Sequence, residues 1–233
     1  MDETEFDQFA AEYEQLHAAN ISASGESTEF FAEYKVRDAA AVAKAQGFPE
    51  SLQILDFGAG VGNSVPYFRK HLNGGSLTCL DVSRKSLALG ERRFAGDASF
   101  AHFDGTTIPF PDDEFHMVFI ACVFHHIPHE EHASLLKEML RVLQPGGALV
   151  LFEHNPLNPL TVRAVNTCPF DENAVLIRAG KLKDRVDGAG FARSEIRYRI
   201  FFPGALRALR PLERFLTSVP IGAQYYVLAN KPV

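Results

Sequence analysis

The sequence predicts an α/β fold built on a mostly parallel sheet. Three observations carry that prediction. Short apolar runs lack polar alternation, as strands buried on both faces do. They alternate with helical segments, the pattern of βαβ units. Glycine-rich punctuation also separates them, with Gly74-Gly75 before one run and Pro145-Gly146-Gly147 before another.

The elements follow in order from residue 51. LQILDF precedes a helix near 62–71, and SLTCLDV precedes one near 84–94. ASFAHF comes next, then HMVFIACVF with a helix near 131–143, then ALVLFEH. Upstream, Phe6, Phe9, Tyr13 and Leu16 share one helical face over roughly 4–19. A second helix spans roughly 28–46. Ser27 or Thr28 is its N-cap, Glu29 lies in its first turn, and Gly47 and Pro49 stop it. The tail reads as a helix near 179–189, a strand near 194–202, an amphipathic helical region near 204–217 and a strand near 222–229.

Composition excludes several classes. The 233 residues are 46% hydrophobic and 22% charged, enough apolar material for one sizeable core and too much for a disordered chain. A net charge of -6 argues against non-specific nucleic-acid binding, which needs a dense basic surface. Three scattered cysteines form neither a disulfide framework nor a CxxC zinc site. The opening MDETEFDQFA is the reverse of a signal peptide, and no long uncharged apolar run is present. The expectation is a cytoplasmic protein without stable membrane insertion. It is a single domain over 1–233, with an N-terminal helical extension or lid at 1–48, a ligand-binding core at 49–155 and a substrate-side region at 156–233.

The first buried run ends in Asp56-Phe57-Gly58-Ala59-Gly60-Val61-Gly62. Three glycines in five residues let backbone approach a ligand closely. The third falls one residue early for the dinucleotide fingerprint GxGxxG. Asp56, two residues ahead of the first glycine, repels a pyrophosphate and favours a cationic group such as an ammonium. Asp81 ends the second strand, where a carboxylate can accept ribose hydroxyls. Ser83 can cap the following helix, which releases Asp81 from that task. Asp104-Gly105 ends the third strand, where the acid can accept from an adenine amino group. Three acids at three consecutive strand ends line one crevice.

These residues resemble the class I S-adenosylmethionine-dependent methyltransferases of the small-molecule, ubiquinone/menaquinone methyltransferase-like type. The resemblance rests on ILDFGAGVGN at 54–63, LDVS at 80–83, FDGTTIPFPDDEF at 103–115, VFHHI at 123–127 and LQPGGALVLFEH at 143–154. It implies a Rossmann-like sheet of seven strands in the order 3-2-1-4-5-7-6, the last strand antiparallel, with helices on both faces. S-adenosylmethionine is the implied cofactor and S-adenosylhomocysteine its product. Asp56 with Gly58, Ala59 and Gly60 would hold the methionine end, Asp81 with Val82 and Ser83 the ribose, and Asp104 with Gly105 the adenine. Cys122 and Phe124 would lie near the sulfonium. His116 departs from the pattern, because the family usually has an acid after the residue matching Phe115.

The implied reaction, a direct in-line displacement onto a small acceptor, needs neither a metal nor a covalent enzyme intermediate. An oxygen or carbon acceptor also needs a base, and His125, His126 and His154 are the candidates, since histidine titrates near neutral pH. Rival readings are another nucleoside-using transfer on the same scaffold, NAD-linked chemistry, and a cofactor-binding regulatory module without turnover. The acid before the glycines argues against NAD.

His125, His126, His129 and His132 form HHxxHxxH. Pro128 breaks any single helix through them and no cysteine accompanies them, so the expectation is that no metal is bound. Glu153, His154 and Asn155 form a polar trio after an apolar strand, expected to point into a loop or cleft. Six arginines against two glutamates over 193–214 alternate with Leu206, Leu209 and Leu212. This stripe either faces the core or forms a lid over an apolar or anionic acceptor, with peripheral membrane contact as one consequence.

Overall fold

A computed structural model describes residues 25–72 and 74–233. The helix expected at 4–19 lies outside the described residues. Seven strands form one sheet: β1 (Gln53–Phe57), β2 (Ser76–Asp81), β3 (Ser99–His102), β4 (Phe115–Ala121), β5 (Leu143–His154), β6 (Ala192–Arg199) and β7 (Gln224–Asn230). Their spatial order is β3-β2-β1-β4-β5-β7-β6, as the resemblance implied. β3, β2, β1, β4 and β5 pair in parallel, and β7 runs antiparallel to both β5 and β6.

Six α-helices accompany the sheet among the described residues: α1 (Thr28–Ala45), α2 (Val65–His71), α3 (Arg84–Arg93), α4 (His132–Val142), α5 (Pro159–Asn166) and α6 (Ala179–Gly188). The apolar runs of β1, β4 and β5 are buried on both faces, which is why they show no alternation, whereas the edge strand β3 is only partly buried. In β5, Ala148, Val150 and Phe152 face the layer holding α1 and α2, with Val36, Ala39 and Phe68. Leu149 and Leu151 face the opposite layer, with Leu135 and Met139 of α4 and Leu182 and Val186 of α6. Phe68 meets Phe119 edge to face at 5.1 Å, and each such buried ring contributes about 1.5–3 kcal/mol.

The N-terminal helix is part of this packing. Ser27 caps α1, its hydroxyl accepting from the Phe30 amide at 3.3 Å. Tyr34, Val36, Ala39, Val42 and Ala43 are buried against the sheet. Asp38 pairs with Arg199 at the end of β6, tying α1 to the far edge.

Two elements differ from expectation. The helix expected from residue 62 begins at Val65, because Gly58, Gly60 and Gly62 all take positive φ and hold the preceding segment in turns. The amphipathic region is a run of 3₁₀ turns over Gly204–Phe215, irregular at Leu206 and containing Pro211, which lacks an amide to donate. Its stripe does not face the core: Leu206, Leu209, Leu212 and Phe215 are exposed. His116, the departure from the family pattern, accepts the Gln53 amide at Nδ1 (3.0 Å). A neutral imidazole can serve as an acceptor there, and burial lowers its pKa.

Candidate active site

The carboxyl ends of β1 and β2 are tied together by the glycine turn. The Gly58 and Ala59 amides donate to the Leu80 carbonyl at 2.8 and 3.1 Å. Gly58 has φ +73°, and a Cβ there would stand 2.5 Å from a Val123 methyl. Gly60 also has positive φ, but a Cβ there would meet nothing within 4 Å. One glycine is thus required for packing, and the other borders open space. Asp81 accepts from the Gly60 amide through Oδ2 and from the Ser83 amide through Oδ1, both at 2.8 Å. Burial raises its pKa, and these amides partly offset the rise. The Ser83 hydroxyl caps α3 by accepting from Ser86, so Asp81 has no capping role.

Asp56 lies beneath this turn. Its carboxyl is buried, and Oδ2 has no hydrogen-bond partner. Burial, then the nearby Asp81 charge, raise its pKa to about 7, against a smaller opposing effect of the Ser64 hydroxyl. A buried acid oxygen without a donor is costly unless something else supplies one.

The third acid is different. Asp104 is exposed, and its Oδ1 accepts from the Thr106 amide and hydroxyl and the Thr107 amide at 2.8–2.9 Å. The amides of Thr107 and Thr106 hold its pKa below the usual carboxylate range. It shapes its own turn, in which Gly105 has φ +89°. The Val82 side chain is buried in the core.

Phe124 departs from expectation. Its ring is fully buried and packs on His132 at 4.8 Å, and its amide donates to Glu153. It is a core residue, because the 3₁₀ turn Phe124–His126 folds the ring inward. Cys122 does stand at the end of β4, with φ +61° and its Sγ 3.6 Å from Gln224 Nε2.

The three candidate histidines come together. Glu153, entirely buried, accepts from the Phe124 amide at 2.7 Å and holds His125 Nδ1 at 2.7 Å. The rings of His125 and His126 lie 4.1 Å apart, and those of His125 and His154 lie 5.1 Å apart. Asp171, from the 3₁₀ turn Pro169–Asp171, lies 3.5 Å from His125 Nε2 and 3.4 Å from His126 Nε2. Burial alone would depress the His125 pKa. The Glu153 and Asp171 carboxylates reverse that and hold it at about 10. Burial and then the neighbouring His125 charge push His126 and His154 down to about 4. His154 Nδ1 lies 3.2 Å from Gln224 Nε2, which leaves its Nε2–H as a donor.

The polar trio after β5 therefore does not share one cleft. Glu153 and Asn155 are buried pins, the latter donating to the Pro220 and Gly222 carbonyls, and only His154 is half-buried. Two residues were not singled out in the sequence: Asp171 and Gln224, whose Oε1 accepts from the Tyr34 hydroxyl. No spacing signals them, because each joins the cluster from a distant element.

Residues 54–147 match the family model described as a methyltransferase domain. Over that segment the chain resembles a methyltransferase domain, and its sheet order is the one that the resemblance implied. More particularly, the chain is similar to the ubiquinone/menaquinone biosynthesis C-methyltransferase UbiE of Ectopseudomonas mendocina (strain ymp). The two are 34% identical over 137 residues, covering 56% of this chain and 52% of that protein. The chain spans about half the length of the curated relatives it matches. A solved S-adenosylmethionine-dependent methyltransferase from Thermotoga maritima superposes with a TM-score of 0.66 at 16% identity, covering 98% of both chains. The CurJ carbon methyltransferase superposes with a TM-score of 0.62 at 18% identity, covering 82% of this chain and 52% of that one. These two likenesses concern the fold alone. No helix among the described residues is long and apolar enough to cross a membrane.

Proposed function

We propose that this chain transfers a methyl group from S-adenosylmethionine to a small-molecule acceptor. The observation that carries the reading is Asp56: a buried carboxyl whose Oδ2 lacks a donor, under a glycine turn with open space at Gly60. The cofactor's ammonium group is the kind of donor that oxygen lacks. Asp81, positioned by two amides, is the ribose acceptor in this reading, and Gly105 and the exposed Asp104 border the adenine. Cys122 lies on the acceptor side, and Val82 and Ser83 contribute backbone.

When bound, S-adenosylmethionine supplies an electrophilic methyl on a sulfonium. The chain's part is to align the acceptor with that methyl and to receive the proton the acceptor loses. The cluster at the carboxyl ends of β4 and β5 suits the second task. His154 Nε2–H donates to an acceptor oxygen and orients it, and the neutral His126 imidazole receives the proton, because His125 already carries a proton on each nitrogen. His154 is thus assigned to positioning, because its Nδ1 is already engaged by Gln224. A carbon acceptor activated by a neighbouring hydroxyl or enol fits this arrangement, and the similarity to the C-methyltransferase UbiE supports it.

The acceptor is apolar in this reading. Leu157 and Leu160 follow β5, and Leu209 and Phe215 follow β6. All are exposed near the carboxyl edge of the sheet. An apolar enclosure would exclude water from a reactive sulfonium. The whole chain then acts as one domain, with the α1 region closing one side. Calorimetric titration with S-adenosylmethionine tests cofactor binding. Release of S-adenosylhomocysteine with hydroxylated aromatic or enolic acceptors tests turnover. A chain that binds the cofactor but yields no product with any acceptor would favour a regulatory module.

A further inference from the structure

The HHxxHxxH spacing supplies no closed ligand set by itself. The fold adds a carboxylate that the spacing could not reveal. One potential ligand atom from each of His125, His126 and Asp171 lies within 4.8 Å of the other two, and both Nε2 atoms face Asp171 Oδ1. We propose that these three side chains form a binding site for a divalent first-row transition ion, with zinc as the working probe.

The geometry of the ligand-free cluster, an ion-paired one, is close to that of a metal site. The two nitrogen–oxygen separations, 3.5 and 3.4 Å, are long for hydrogen bonds. These two match the edges, about 3.4 Å, of a tetrahedron whose ligands stand about 2.1 Å from a central ion, and the third separation, within 4.8 Å, must shorten to that edge for all three side chains to reach one ion. His125 is also prepared for the task. Glu153 holds its Nδ1 at 2.7 Å, which fixes the ring and aims Nε2 at the site, the carboxylate–histidine–metal arrangement. Coordination replaces the Nε2 proton on His125. Glu153 is in turn fixed by the Phe124 amide at 2.7 Å. The Val175 amide donates to the His125 carbonyl at 2.8 Å, which ties the Asp171 segment to the histidine turn.

Two imidazoles and one carboxylate suit zinc, iron or cobalt better than magnesium or calcium, which prefer all-oxygen shells. Three protein ligands leave a position open, as in catalytic sites and unlike closed structural ones. The site stands at the carboxyl edge of β4 and β5, beside His154. The open position would take an acceptor oxygen, and an ion there lowers the pKa of a bound hydroxyl. The ligand set does not depend on the methyl-transfer reading. It reverses the sequence-based expectation that no metal is bound.

The test uses the full chain. Purified protein is stripped with chelator, dialysed, and titrated with Zn²⁺ by calorimetry and with Co²⁺ by visible absorption. One equivalent should bind, with a cobalt ligand-field band. Asp171→Asn and His126→Ala should each lower the affinity by at least tenfold while far-UV circular dichroism stays unchanged. His129→Ala, in the same motif but outside the cluster, should bind like the parent. Substoichiometric binding by the parent overturns the site. So does unchanged affinity in folded Asp171→Asn or His126→Ala, or equal loss in His129→Ala. Should one cluster variant fail to fold, the other decides. A parallel titration of the stripped chain with S-adenosylmethionine reads the cofactor site alone, so failure of one reading is distinguishable from failure of the other.

Discussion

The Gly60 amide donates to Asp81 Oδ2 at 2.8 Å, so the most open point of the glycine turn is anchored to the end of the neighbouring strand. One carboxylate thus shapes the turn and borders the crevice. Asp81→Ala should weaken S-adenosylmethionine binding by about 1.5–3 kcal/mol, the loss of hydrogen bonds to a charged group. That is roughly ten- to a hundredfold in Kd. Calorimetry showing the parent affinity would remove Asp81 from the site.

If Asp56 receives the cofactor's ammonium as proposed, cofactor binding should be pH-dependent. Its pKa is raised from 3.8 to about 7 in the folded chain. The folded state therefore holds this proton more tightly than the unfolded state. Between about pH 4 and 7 its contribution to stability falls as pH rises, by at most about 4 kcal/mol. A cationic ligand needs the ionised form. Affinity should rise about tenfold per pH unit up to about pH 7 and then level off. Asp56→Asn should raise the melting temperature of the ligand-free protein at pH 8 and abolish the pH dependence of what binding remains. A variant that binds like the parent across this range would sink the assignment.

The two glycines separate packing from ligand space. Gly58→Ala places a Cβ 2.5 Å from Val123 at φ +73° and should cost stability, read as a lower denaturant midpoint. Gly60→Ala meets no protein atom within 4 Å, so its cost in stability should be limited to about 1 kcal/mol of backbone strain. Its main effect should be weaker cofactor binding. Equal binding in Gly60→Ala and the parent would show that the cofactor does not approach this point.

Glu153 supports the histidine cluster from within the sheet. Glu153→Ala leaves the buried Phe124 amide and His125 Nδ1 without their acceptor. Breaking a buried charged pair in this way costs about 3–5 kcal/mol, and urea unfolding should show it. A change below about 1 kcal/mol, the value of an exposed pair, would mean the pair is not buried in solution.

His154→Ala should reduce turnover with little change in S-adenosylmethionine affinity, because His154 stands at the end of β5, away from Asp56 and Asp81. Gln224→Ala, which removes the partner of His154 Nδ1, should act in the same direction but more weakly. Full turnover by His154→Ala at saturating acceptor would remove it from the acceptor side.

The sequence by itself determined the sheet and the ligand edge. Unbroken apolar runs at βαβ spacing can be satisfied only by strands buried on both faces, and Asp56, Gly58, Gly60 and Asp81 lie within one such unit, where local geometry fixes their meeting. Ser83 as a cap was legible for the same reason: it acts on its own neighbours. Tertiary structure decided what depends on distant elements. Phe124 was expected at the crevice, but a single 3₁₀ turn rotates its ring into the core. The tail stripe at Leu206, Leu209 and Leu212 has helical spacing, yet its partners in space, not its period, leave it exposed. Asp171 joins His125 and His126 only because the segment after β5 folds back to give its Val175 amide to the His125 carbonyl. Side chains that converge from separate elements leave no spacing in the sequence, because packing of the whole chain brings them together.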